Sequence, residues 1–297
     1  MSGWTVALGT LRSVIRLDAA TVLLQWATGG LLFLWITTRR REVGIGYGWL
    51  LRGTYLLFAA GSLAAASAIG WVPVRDVAAV GVVVASGVAF VVSVVRRRAG
   101  VAGQAELAEA RSARVATMTG IERHAGAKDA EAAEFPPVLD LVAPVLGAIG
   151  LVAAAFDAGG NHWVALLRTL AGAAFLGVVT DAMLLGHWYL VQPGMSRAPL
   201  LELVRWTMWV WPFEVVAMLL PTGMFSVWSG AVDDGYNGTL GWFWAVCAGG
   251  TIVLCVVTRA ALRERYYSAV MAATGLLYLA ILTAFGTDLV ARAVLAS

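Results

Sequence analysis

Eight stretches of this chain run apolar for long enough to cross a bilayer, and that repetition leaves little choice of fold. They cover roughly Ala19–Thr37, Trp49–Gly70, Val77–Val95, Val138–Phe156, Trp163–Val191, Leu200–Val227, Gly241–Thr258 and Ser268–Val290. About 20 residues at 1.5 Å each span the hydrocarbon core, and the fifth and sixth stretches are long enough to tilt or protrude. The runs are continuously apolar rather than alternating, which points to helices and not a barrel. Only 13% of the residues are charged, against about 25% in soluble domains. The expected fold is an all-α integral membrane protein, a bundle of about eight transmembrane helices.

Arginine sets the orientation. Arg39–Arg41 follow the first stretch, Arg96–Arg98 the third, Arg197 the fifth, and Arg259, Arg263 and Arg265 the seventh. These loops fall on one side, which the positive-inside rule makes cytoplasmic. The localisation expected is a bacterial plasma (cell inner) membrane, with both termini outside. Arg12 and Arg16, before the first stretch, oppose this weakly. The net charge of +3 is spread over these flanking loops, so it reports topology and no nucleic-acid partner. Cys247 and Cys255, eight residues apart on one predicted helix, lie roughly 12 Å apart and cannot bridge.

One segment of any size lies outside the apolar runs, and it divides the chain. Residues 1–98 hold three spans, 99–136 form a cytoplasmic helical linker, and 137–297 hold five. The linker reads as a solvated helix with mixed charge, or as a docking surface for cytoplasmic or membrane redox subunits. Small residues recur in the spans, as at Gly29–Gly30, Ala173, Gly177 and Gly249–Gly250, and such residues permit close helix approach. No internal sequence repeat is evident.

The chemistry-bearing residues concentrate between Thr180 and Glu214. Asp181 lies roughly 15 Å from the inner end of the fifth span, and a carboxyl at that depth needs a partner or a proton. His187, Trp188 and Tyr189 follow it, and Arg205 and Trp209 lie on the next helix. Arg52, Tyr55 and Asp140 are expected at the same depth, which would make one polar, aromatic-lined layer near the inner leaflet. That layer suits an amphipathic ligand such as a quinone. His187 or Tyr189 would hydrogen-bond a carbonyl, and Asp181 would manage a proton. The plain alternative is an interfacial belt of tryptophan, tyrosine and snorkelling arginine. Glu214, beside Pro212, is the deepest acid; it could relay protons or bind a cation, and the plain alternatives are a neutral carboxyl or a pair with Arg168. Asp288 and Arg292 are spaced for an i,i+4 pair and read as surface.

No metal site is expected. His162 and His187 stand roughly 37 Å apart on one helix, and His124 lies in the linker, so a bis-histidine haem is not built within one subunit. A His–Met haem, using His187 and a methionine such as Met195, stays open, but no sequence feature supports it. CxxC, HExxH and GxSxG motifs are missing from the sequence. In helix number alone the chain resembles quinol-interacting membrane anchors of respiratory oxidoreductases. The leading expectation is therefore a membrane subunit of an electron-transfer complex that interacts with quinone or lipid. A proton-coupled small-molecule or lipid transporter and a scaffold without chemistry of its own are the alternatives.

Overall fold

The computed structural model describes residues 18–98, 110, 112–117, 120, 135–220 and 223–296. Eight long helices carry the fold: α1 Ala19–Thr38, α2 Ile45–Ile69, α3 Pro73–Val95, α4 Leu139–Asp157, α5 His162–Val191, α6 Ala198–Leu219, α7 Thr239–Ala261 and α8 Tyr267–Ala296. Most of the linker expected at 99–136 lies outside the described residues, as do Arg12, Arg16 and Pro221; residues 112–117 are helical.

Local chemistry starts these helices. The Asp18 carboxylate accepts from Ala20 N at 3.0 Å, and Asn161 Oδ1 accepts from Trp163 N at 3.0 Å and Val164 N at 3.3 Å. Pro73 and Pro199 occupy first turns, where a missing N–H costs nothing. Asp234 reaches forward to the backbone N–H groups of Gly238 at 2.8 Å and Leu240 at 2.9 Å, capping α7. Helices α2 and α3 both begin four residues before the apolar runs do, α3 because Pro73 starts its first turn.

This is a multi-pass membrane protein. Seven of the eight helices are long and apolar enough to cross a bilayer. The remaining one, α6, has 22 residues and carries Glu202, Arg205 and Glu214. It nonetheless lies antiparallel beside α5 over its length. Tyr189 near the end of α5 donates to Ser196 O just before α6, and Arg168 near the start of α5 donates to Ala217 O at 2.9 Å near its end. The sixth apolar stretch does not continue as one helix to Val227: α6 stops at Leu219, and a separate turn of helix covers Phe225–Trp228.

Contacts group the helices four and four. Helices α1 to α4 form one ring, each touching the next and α4 returning to α1; α5 to α8 form a second in the same way. In chain order the boundary between the rings falls after α4. The rings meet where α1 lies against α5, the two most buried of the spans at 61% each, against 33–44% for the others. Outer faces are apolar. On α3, Val77, Val80, Val84, Val88, Val91 and Val95 form an exposed stripe, while Ala79, Ser86, Ala89 and Ser93 turn inward. Large residues toward lipid and small ones inward let helix backbones approach.

At the ring junction, a Cβ on Gly29 would stand 1.7 Å from Ala173 O, and one on Gly177 would stand 2.1 Å from the Gly29 carbonyl carbon. Neither site has room for a side chain. Gly249 faces nothing within 4 Å. Gly177→Leu should therefore cost about 1–3 kcal/mol or prevent assembly. Gly249→Ala should change stability by no more than about 1 kcal/mol. Thermal unfolding in detergent checks both, and equal effects would show that the crossing does not hold the rings together.

Candidate functional site

At the end that carries the arginine-rich loops, several charges are already engaged. Arg52 grips Asp140 with two parallel bonds, Nε to Oδ1 and Nη2 to Oδ2, each 2.7 Å, with both residues at most 2% exposed. Thr38 Oγ1 donates to the same Asp140 Oδ2 at 3.3 Å, and the Phe135 ring lies 4.3 Å under the guanidinium. The pair ties α1, α2 and α4 together. Glu202 binds Arg39 at 2.7 Å and Arg40 at 3.3 Å, joining the start of α6 to the end of α1. Arg197 donates to the carbonyls of Leu262, Arg265 and Tyr266, which pins the α7–α8 turn. Arg52, expected among the ligand-binding residues, is thus a clamp.

Deeper in, Asp181 is wholly buried where α5 faces α2. The Tyr55 hydroxyl donates to Oδ1, and the Tyr47 hydroxyl donates to the Asp181 carbonyl at 3.2 Å. Oδ2 has no hydrogen-bond partner among the described residues. Tyr47 and Tyr55 are themselves fully buried, eight residues apart on one face of α2. Gly30 makes the space, since a Cβ there would lie 1.9 Å from the Tyr55 ring. One residue earlier in the chain than Asp181, Thr180 Oγ1 accepts from Trp26 Nε1 at 2.9 Å. Asp181 and Tyr55 were expected together and are together. Gly30 was read only as a close-approach residue and Tyr47 was not anticipated, although the eight-residue spacing of the tyrosines is visible in the chain.

The rest of the expected layer does not converge on Asp181. His187 is exposed on the flank between α5 and α8, where its Nδ1 meets the Tyr278 hydroxyl at 3.0 Å. Trp188 packs near Tyr47, ring centroids 6.1 Å apart, and its Nε1 bonds Gln192 Oε1 at 3.3 Å. Tyr189 is buried against the α5–α6 turn through its bond to Ser196 O. Arg205 and Trp209 both face outward, Trp209 at 70% exposure. His187 and Asp181 are six residues apart, about 120° around the helix, and so address different neighbours.

Glu214 is wholly buried, and neither of its carboxyl oxygens has a partner among the described residues. The expected pairing with Arg168 does not form. Arg168 turns to the Ala217 and Leu220 carbonyls instead. Asp288 and Arg292 do pair, at 2.8 Å, but they are buried at 0% and 5% exposure, not on the surface. Arg75 is likewise interior and binds Asp76 and Asp18.

No family model, curated protein or solved structure matches this chain. The chemistry must therefore be read from the side chains themselves.

Removing one partner of a buried ion pair strands the other. Arg52→Ala should cost about 3–5 kcal/mol, and adding Asp140→Ala should recover part of it. Arg205→Ala, on an exposed face, should stay within about 0.5 kcal/mol. Unfolding free energies measured in detergent test this contrast; a silent Arg52→Ala would return Arg52 to the ligand-binding candidates.

Proposed function

We propose that this is a proton-coupled membrane transporter of a small molecule or lipid in which Asp181, with Tyr55 and Tyr47, forms the proton-handling centre. One observation carries the reading: the Tyr55–Asp181 hydrogen bond lies in the bundle interior and crosses from the first helix ring to the second. A buried carboxyl group that accepts from a phenol, with its second oxygen unpartnered, can release its proton while the phenol donates to it and take one up when the phenol moves away. Tyr55 belongs to the ring α1–α4 and Asp181 to the ring α5–α8. Rocking of one ring against the other therefore changes the environment of the acid directly, which is how a solute movement is tied to a proton. The positive-inside rule favours the arginine-rich loops in the cytoplasm of a bacterial cell, with both chain termini outside. Crossing of the bilayer by α6 belongs to this reading, and its antiparallel course beside α5 supports it.

A second reading is a quinone-interacting subunit of an electron-transfer complex, with redox partners docking on residues 99–136. The exposed His187–Tyr278 pair favours it, because a ring carbonyl arriving from the lipid meets a hydrogen-bonding group there.

Protein reconstituted in liposomes around a pH dye separates the two. Potassium diffusion potentials and a panel of small organic cations, anions and neutral lipids supply the driving force and the solutes. Proton uptake in the wild type should fall at least about tenfold in Asp181→Asn, equivalent to about 1.4 kcal/mol on the barrier. Tyr55→Phe should lie between them. If flux is indifferent to Asp181 while His187→Ala loses a co-purifying quinone, the transporter reading fails and the quinone reading replaces it.

A further inference from the structure

The end of the bundle away from the arginine-rich loops holds a second buried polar cluster. Arg168 of α5, Glu214 of α6, and Asp288 and Arg292 of α8 are all at most 5% exposed. Gln25 of α1 reaches in, its Nε2 donating to Thr169 O at 2.7 Å. Gly172 opens the space, since a Cβ there would lie 2.3 Å from Arg292 Nη2, 2.9 Å from Asp288 Oδ1 and 3.3 Å from Gln25 Nε2.

Both guanidinium groups have partners other than Glu214. Arg292 donates from Nε to Asp288 Oδ1 at 2.8 Å and from Nη2 to Arg168 O at 3.0 Å. Arg168 donates to the Ala217 and Leu220 carbonyls at the end of α6, where the helix dipole is negative. The buried atoms of these side chains left without a partner are Glu214 Oε1, Glu214 Oε2, Asp288 Oδ2 and Gln25 Oε1. All four are acceptors. The charged neighbours of Glu214 are Asp288, beside it, then Arg292 and Arg168; among the described residues α7 contributes none.

Two carboxylates side by side cannot hydrogen-bond, and their like charges repel. One proton resolves both problems, because a protonated Glu214 becomes a donor to Asp288 Oδ2. A metal cation in the same place would face Arg292 at close range. We propose that Glu214 and Asp288 are a proton-sharing acid pair, a second exchangeable-proton site inside the ring α5–α8. On release, the O–H bond breaks, the electron pair stays on the carboxyl oxygen, and the proton passes to water at this end of the bundle. The two carboxylates left behind are then balanced by Arg292 and Arg168. The site stands independently of the role given to Asp181.

Infrared spectra of purified protein test the pair, with Asp181→Asn as the background so that the other unpaired buried acid is silent. At about pH 7, where an ordinary carboxyl is ionised, one carboxylic-acid C=O band should remain. It should shift in D2O and on ¹³C labelling of glutamate, and disappear in Glu214→Gln. It should also disappear in Asp288→Asn, because Arg292 is then released to pair with an ionised Glu214. Should Glu214→Gln fail to fold, the labelled Asp181→Asn protein decides by itself. Absence of a glutamate-sensitive band would overturn the proposal, as would a band that survives Asp288→Asn or is abolished by adding sodium ions.

Discussion

The backbone contact between α1 and α5 is the constraint on which the rest of this molecule depends. Lipid offers no hydrophobic drive between helices, so association rests on close packing and hydrogen bonds. Gly29 and Gly177 supply the first by removing every side-chain atom from the crossing. Gln25 and Trp26 supply the second through Thr169 O and Thr180 Oγ1, on either side of it. Once that contact is made, the neighbouring Gly30 leaves a slot of one ring's width, and Tyr55 fills it with its hydroxyl at Asp181. Packing thus places the polar centre; the polar centre does not create the packing.

Buried acids in this protein fall into two groups, and the difference between them bears on function. Asp140 and Asp76 each meet a guanidinium directly, Asp76 sharing Arg75 with the half-buried Asp18, and the pair and the triad tie together helices that would otherwise be held by apolar contact alone. Such pairs need no further role to explain them, since breaking one would leave a stranded charge. Asp181 and Glu214 are different. The first is bonded to a phenol, and the second lies beside another acid while both nearby guanidiniums are bonded elsewhere. A scaffold gains nothing from either arrangement that an apolar side chain would not provide. The scaffold reading accounts well for the first group and poorly for the second.

How much of this was legible in the chain depended on range. Hydropathy over about 20 residues depends on composition alone, so the helices stood out; even α6 did, despite its three ionisable residues. Depth along a helix is a matter of counting, and Asp181 and Tyr55 were placed at one level correctly. Direction around a helix is set by which neighbours pack against it. His187 and Asp181, six residues or about 9 Å apart along α5, read as one layer in the sequence although they face α8 and α2 respectively. Asp288 and Arg292 stand near the end of α8, where a charged pair is ordinary surface unless another helix covers it. Here α5 does, through Gly172 and the Arg168 carbonyl. The four-and-four grouping left no trace in the sequence, because helix pairing in lipid is written in small-residue faces too common to single out among 33 glycines.

The two unpaired acids also share a mechanical connection. Gly172 and Asp181 lie on the same helix, roughly 14 Å apart along its axis, so α5 contributes to both sites. Each site is completed from the opposite ring: Tyr55 of α2 at one, Gln25 of α1 at the other. A displacement of α5 along the α1 face would alter the bond to Asp181 and the Gln25 contact beside the Glu214 cluster together. The glycine crossing resists such sliding less than an interlocked pair of large side chains would, because flat backbone surfaces present no knobs to clear. Protonation at either acid would then bias one ring-to-ring arrangement, and the other acid would experience the change through α5.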